Sequence, residues 1–247
     1  MRMNHAHFPS WLANNAIFRN LFLFRKIFLT KRFSCFYGQS AEDVILGRLF
    51  PKRYKGFFVD VGCFHPVKYN NTYALYKKGW RGVNIDIQPI KIKGFNWIRP
   101  GDTNIAMAVS EQPGEVTFWT NGMYTPTVTL EKSFADERSG AKYQYRPQTV
   151  QADTLTNILD GTSYKDRPID LLSIDVEGHD LQVLKGLDFE RYRPDVIAVE
   201  FDAQTIGDVV KNELHNFLSS KDYQLINWVG LTQIYRREQS LVSKGID

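Results

Sequence analysis

The chain has 247 residues, 43% of them hydrophobic, enough for one sizeable domain with or without an appendage. Its formal charge of +4 is unevenly spread: six of the 31 Lys and Arg precede Glu42, the first acid, leaving 25 against 27 acidic residues in the body. The basic balance is thus a property of an N-terminal arm, which argues against a nucleic-acid-binding face; two cysteines in unrelated contexts, Cys35 and Cys63, exclude a disulfide scaffold and fit a reducing cytoplasm.

The arm, residues 1–36, carries a helical pattern over residues 11–33: Ile17, Leu21, Phe24 and Phe28 recur at three- and four-residue steps, and Phe18 and Phe22 widen the stripe. Arg19, Arg25 and Lys26 keep it short of the ~18–20 uninterrupted apolar residues of a spanning helix. No small-residue cleavage site of a signal peptide follows it. Two readings stand: a helix packed on the domain or on a second copy as a homo-oligomer contact, or a helix lying peripherally on the inner membrane surface, with Arg25, Lys26, Lys31 and Arg32 near anionic headgroups.

In the body, residues 37–247, Ser40 is placed to cap a helix running to Phe50, closed by Pro51. A strand-then-helix rhythm follows. Residues 56–61 are a short apolar strand ending in Asp60 and a glycine, and Asn71 opens a helix that stops at Gly79. Residues 82–86 repeat the strand and end in Asp86; residues 104–109 make a third strand and residues 115–120 one arm of a hairpin. Residues 121–147 lose all periodicity and are too long for an ordinary connection. Asp153 then caps a helix to Leu159, residues 169–175 form a buried strand ending in Asp175, and a helix follows from His179 to Leu187. A strand over residues 196–200 ends in Glu200, a helix covers residues 207–219, and residues 223–228 and 232–236 form a terminal antiparallel hairpin.

Continuous apolar strands alternating with helices predict an α/β fold with a mostly parallel sheet covered on both faces. Ligands of such sheets sit beyond the carboxyl ends of the strands, so Asp60, Asp86, Asp175 and Glu200 are expected to converge on one rim. Asp86, 26 residues after Asp60, suits the two hydroxyls of a ribose, while Asp60 and Gly62 suit a ligand with an ammonium group. The loop after Gly62 lacks the glycines that bring a pyrophosphate to a helix end, so an adenosine with a cationic amino-acid tail fits better than a nicotinamide dinucleotide.

The second cluster is Asp175, Glu177 and His179, three ionisable groups in five residues. His179 or Glu177 is the candidate base for a substrate hydroxyl, imidazole being the better matched at neutral pH with its ordinary pKa near ~6.5. A divalent ion such as Mg²⁺ held by Asp175, Glu177 and Glu200 is the alternative way to acidify that hydroxyl. Tyr124, Arg138, Tyr143, Tyr145 and Arg146, in the irregular segment, are candidate contacts for a sugar ring with an acidic substituent.

These pieces together, Gln39-Ser40-Ala41-Glu42-Asp43, Val59-Asp60-Val61-Gly62 with Pro66, Asn71-Thr72-Tyr73, Gly79-Trp80-Arg81-Gly82 and Ser173-Ile174-Asp175-Val176-Glu177-Gly178, resemble the FkbM family of methyltransferases over residues 37–236. The resemblance implies a class I methyltransferase Rossmann-like fold, a seven-stranded sheet whose last pair is antiparallel. It also implies S-adenosylmethionine as donor and a hydroxyl on a sugar, glycan or polyketide-type acceptor. By position it implies that Asp60, Gly62, Asp86 and Asp175 contact the donor, with Asn71 and Thr72 at its border. Cys63-Phe64-His65 departs from the small residues common there, so the methionine end is expected to be held differently, with His65 on the acceptor side.

Overall fold

The computed structural model describes residues 15–29, 35–139 and 144–238. The chain divides into two compact units, residues 1–35 and 36–247. In the first, helix α1 (Ala16–Phe24) is capped by the Asn15 side chain on the Phe18 N–H and runs into one π-helical turn, Arg25–Leu29. The parts of the expected arm helix on either side lie outside the described residues. Among the described residues no helix is long and apolar enough to cross a membrane.

The second unit is built on a seven-stranded sheet of order β3-β2-β1-β7-β8-β10-β9. Its strands are β1 (Phe57–Val61), β2 (Arg81–Asp86), β3 (Thr103–Ala106), β7 (Leu171–Ile174), β8 (Val196–Glu200), β9 (Tyr223–Val229) and β10 (Thr232–Arg237). The first five pair parallel, and β10 enters antiparallel between β8 and β9. Strands β4 (Ala108–Val109), β5 (Gly114–Thr120) and β6 (Arg146–Asp153) form a separate three-stranded sheet. Both faces of the central strands are covered, which is why they read as unbroken apolar runs. Phe57, Val59, Val61, Leu172, Ile174, Ile197 and Val199 point into the larger core, while Phe58, Leu171, Val196, Ala198 and Ile234 pack on the other face with Leu46, Leu75 and Trp80.

The helices of this unit are α2 (Glu42–Leu46), α3 (Tyr73–Lys77), α4 (Pro89–Ile98), α5 (Lys132–Arg138), α6 (Leu155–Asp160), α7 (Asp180–Lys185), α8 (Phe189–Tyr192), α9 (Ile206–Lys211) and α10 (Glu213–Ser220). Several expectations are corrected. Helix α2 is shorter than residues 40–50 and Ser40 does not cap it: the Ser40 N–H instead donates to the Glu42 carboxylate at 2.8 and 2.9 Å. The strand expected over residues 104–109 is two strands in different sheets, because the chain breaks at Met107. One helix over 207–219 is two, since Asn212 ends α9 and caps α10 with its side chain. Thr154, not Asp153, caps α6. The irregular segment contains α5 and the start of β6, which pairs with β5 from Arg146 to Ala152.

Register explains which strand-end residues share a rim. Val61 pairs with both Ile85 and Ile174, and Ile174 with Val199. The next row therefore contains Gly62, Asp86, Asp175 and Glu200. Asp60 sits two residues lower, opposite Asn84 and Ser173, about 6–7 Å beneath that row. The order also reverses at β1, whose two neighbours are β2 and β7, and a ligand crevice opens at such a switch.

Gly62 allows this rim to close. Its φ is +76°, and a Cβ there would lie 1.7 Å from the Asp175 carbonyl oxygen, a backbone atom that no rotamer change moves aside. Gly62→Ala is expected to cost about 2–3 kcal/mol, from left-handed strain and forced separation of β1 from the turn after β7. Urea unfolding checks this, and an unchanged midpoint would show that the two strand ends are not in contact.

Candidate active site

A cavity of about 490 Å³ opens beyond the carboxyl ends of β1, β2, β7 and β8. That is within the ~300–1,000 Å³ usual for small-molecule sites. Its walls hold Gly62, four carboxylates (Asp86, Asp175, Glu177 and Glu200) and two cations, Lys91 and Arg138. Ile85, Ile87, Met107, Val109, Val128 and Val176 supply the apolar part of the wall. Sequence reasoning missed Lys91 because α4 went unread; Gln88-Pro89, with proline at the first helical position, was the available signal.

Asp86 is fixed by three donors. Its Oδ1 accepts the Gln88 N–H at 2.9 Å, and its Oδ2 accepts the Phe64 N–H and the Lys91 ammonium, each at 3.1 Å. A carboxylate offers about four lone-pair sites, so one remains on Oδ1. The expectation that Asp86 takes both hydroxyls of a ribose is narrowed to one while Lys91 stays in place.

Asp60 does not line the cavity, and its expected role toward an ammonium group is corrected. Its Oδ2 accepts the Thr72 hydroxyl at 2.7 Å and the Asn70 amide at 3.2 Å, and Arg99 supplies the nearby positive charge. Burial still dominates and raises the carboxyl above its ordinary range. Thr72 is fully buried in that same network. Asn71 donates to the Ser173 hydroxyl at 3.3 Å and borders a small polar annex, about 30 Å³, which it shares with Gln39, Glu42, Tyr69, Asp175 and Glu200.

The carboxylates around the β7 turn repel one another. Asp175 is open to the cavity but closely walled by protein, and its carboxyl is pushed well above the carboxylate range, by burial first and by Glu200 second. Glu177 stands at φ +54°, its carbonyl accepting the Thr129 hydroxyl at 2.7 Å. Burial first and Glu200 second push its side chain up to about 7, against the opposing pull of Arg138, whose Nη1 lies 3.7 Å from Oε2. Asp180 is also raised to about 7, by burial above all, and its carboxylate accepts the N–H groups of Val176 and Gly178, which fixes the turn.

His179, the preferred base on sequence grounds, is corrected. It is not among the residues that line the cavity. Its Nδ1 lies 2.8 Å from Glu131 Oε1 and its Nε2 3.1 Å from Ser110 Oγ, so both nitrogens are engaged within the protein. The physical reason is its place at the start of α7, where the ring meets the segment entering α5. This contact ties α5 to the strand-end turn, and α5 delivers Arg138 to Glu177.

The proposed metal set is likewise corrected. Asp175, Glu177 and Glu200 line one cavity, but among the described residues no group of three His, Cys, Asp or Glu side chains is placed to hold a metal ion.

The acceptor-side candidates separate. Arg138 lines the cavity. Tyr124 stands nearby, its ring 5.7 Å from that of Phe64, which also lines the cavity. His65 is edge-on to Tyr124 at 6.3 Å, and its Nδ1 accepts the Val67 and Lys68 N–H groups at 3.0 Å, so it is a turn residue. Arg146 lines a different hollow, beside Gln88, Gln144 and Gln148. Tyr143 lies outside the described residues.

The donor set suits a cationic adenosine ligand. The apolar slot accepts a flat base, Asp86 retains one acceptor site for a ribose hydroxyl, and carboxyl groups make up much of the polar part of the wall. A dinucleotide pyrophosphate would find no glycine loop there.

The sequence profile of the methyltransferase FkbM domain matches residues 60–225. No curated protein matches the chain significantly. Among solved structures, an FkbM methyltransferase from Methylobacillus flagellatus is 17% identical over 92% of this chain and 60% of its own, with a TM-score of 0.44. A TehB-like SAM-dependent methyltransferase from Corynebacterium glutamicum is 11% identical over 89% of this chain and 97% of its own, at 0.43. A precorrin-6y C5,15-methyltransferase from Geobacter metallireducens is 12% identical over 83% and 90%, at 0.39. With the profile covering most of the chain and the strand order that a class I methyltransferase requires, the chain belongs to the FkbM methyltransferase family.

Proposed function

We propose that this S-adenosylmethionine-dependent methyltransferase methylates a hydroxyl oxygen on a sugar, glycan or polyketide-type acceptor, with Glu177 as the base. The observation that carries the reading is one of the four carboxylates on the cavity wall, Glu177, its side chain 17% exposed and poised at about 7. A hydroxyl is a weak nucleophile until its proton leaves, and a base whose pKa lies near the working pH removes it most effectively. S-adenosylmethionine supplies a methyl group already activated by its sulfonium, so the protein need only align the acceptor and take its proton.

Each residue then has a part. Asp86 holds one ribose hydroxyl, and Ile87, Met107 and Val109 enclose the base. Asp175 and Glu200 offer carboxyl oxygens toward the cationic end. Glu177 receives the acceptor proton, and Arg138 neutralises the carboxylate before that transfer. Phe64, Tyr69 and Tyr124, with ring centroids 5.7 to 6.4 Å apart around Phe64, offer flat faces to a sugar ring at the mouth.

Two measurements test the two halves. Calorimetry should show micromolar binding of S-adenosylhomocysteine and none of NADH; no binding of the former would remove the donor assignment. Transfer of labelled methyl groups to a panel of saccharides and hydroxylated macrolactones should give methyl ethers, and label found on nitrogen or carbon would overturn the oxygen assignment.

A further inference from the structure

The arm carries an observation independent of the methyltransferase reading. Helix α1 and its π turn have no buried residue in the α-helical part, and Ile17, Leu21, Leu23, Phe24, Ile27 and Phe28 are each between 54% and 72% exposed. Among the described residues no helix is long and apolar enough to cross a bilayer, and residues 16–29, about 20 Å at the usual rise, are long enough to lie along one.

Charge decides what covers this face. Through residue 41 the chain has six Lys and Arg and no acid, whereas the remainder is close to neutral. A second copy docked arm to arm would bring two all-cationic segments together with no carboxylate between them. The apolar side chains also spread around much of the helix rather than forming a narrow seam, because Leu23 and Ile27 lie away from the Ile17, Leu21, Phe24 and Phe28 stripe. An anionic lipid surface answers both features: it takes a broad apolar face into its acyl boundary and holds the cations at its headgroups. Lys26, whose ammonium lies 5.5 Å from the Phe22 ring centroid, combines the two in one contact.

We infer that residues 16–29 dock the enzyme peripherally on an anionic lipid bilayer, with Arg19 and Lys26 at the headgroup level. Co-sedimentation of the full chain with vesicles tests this. The protein should pellet with phosphatidylcholine vesicles containing about 30% phosphatidylglycerol, stay in solution with phosphatidylcholine alone, and be released by raising salt from about 0.1 to about 0.5 M. R19Q/K26Q should weaken partitioning about 25-fold, roughly fivefold for each cation near the surface. L21D/F24D/F28D should abolish it while leaving the thermal midpoint of the body unchanged. A chain that ignores the anionic vesicles, binds both vesicle types equally, or still pellets as the triple variant would overturn the inference. A dimer in light scattering that the triple variant dissociates, without vesicle binding, would give the face to a second copy instead.

Discussion

Glu177→Gln is expected to lower turnover by about 10²–10⁴-fold, the usual cost of losing a general base. The substitution keeps the shape and the hydrogen-bonding reach of the side chain, and removes only its capacity to take a proton. Binding of S-adenosylhomocysteine should therefore hold within a few-fold. The pH profile separates this role from a structural one. Burial and Glu200 push the Glu177 carboxyl up to about 7, so the active, ionised form is lost as pH falls through that value. In the wild type kcat/KM should rise tenfold per pH unit below about 7 and level off above it; in the variant that limb should vanish. A second substitution sharpens the test. Arg138 holds the Glu177 value down, so Arg138→Gln should move the same limb to higher pH without removing it. If Glu177→Gln retains wild-type turnover, or keeps the acid limb, the base lies elsewhere.

Much of the scaffold was legible because burial leaves a mark on composition. Residues 57–61, 82–86, 171–174 and 196–199 are buried on both faces, so their apolar runs announced a parallel sheet and its ligand-bearing edge. What failed was pattern without burial. Strand β6 is exposed over most of its length and shows no core-facing alternation. Helix α4 opens with Ile90-Lys91-Ile92-Lys93, an alternation that imitates a strand, although Ile92 and Phe95 face the core and Ile90 does not.

The site was legible in its residue types and not in its register. Asp60 and Asp86 each close an apolar strand, and nothing local distinguishes them. Only the pairing of Val61 with Ile85 puts Asp86 level with Gly62 and leaves Asp60 a full pleat below. The choice between Glu177 and His179 failed for a related reason. Imidazole has the better intrinsic value, but the Glu177 value is set by burial and by Glu200, 23 residues away on another strand. Glu131 and Ser110, which hold His179, come from segments about 50 and 70 residues upstream, too distant for local spacing to show them.

The largest loss of stability is expected at Arg99, a residue that carried no signal in the sequence. Its guanidinium is fully buried, with Nε 2.8 Å from Asp102 Oδ2, Nη1 3.1 Å from Asn70 Oδ1, and both Nη atoms 3.1 Å from Thr72 Oγ1. Phe58, Tyr76 and Phe95 pack their rings around it at 5.0 to 5.3 Å. Through Thr72 and Asn70 this one cation also serves Asp60, and through Asp102 it supports the Gly82 N–H and the Asn84 amide. Arg99→Met should cost about 3–5 kcal/mol at pH 8, the penalty of leaving buried carboxylates without their counter-charge. Burial already raises the carboxyls of Asp60 and Asp102 above their ordinary values, and Arg99 opposes that rise. Removing it lifts both further, so the folded variant binds extra protons above the unfolded-state value near ~3.9 and regains stability as pH falls toward it. The deficit against wild type should therefore shrink between pH 8 and about 4.5, while a simple packing defect would stay constant. Arg99→Lys keeps the charge and loses the planar fork, which places it between the two. Urea midpoints at both pH values decide the matter: a deficit that does not change with pH, or a lysine variant as unstable as methionine, would mean that Arg99 contributes packing and geometry instead of charge.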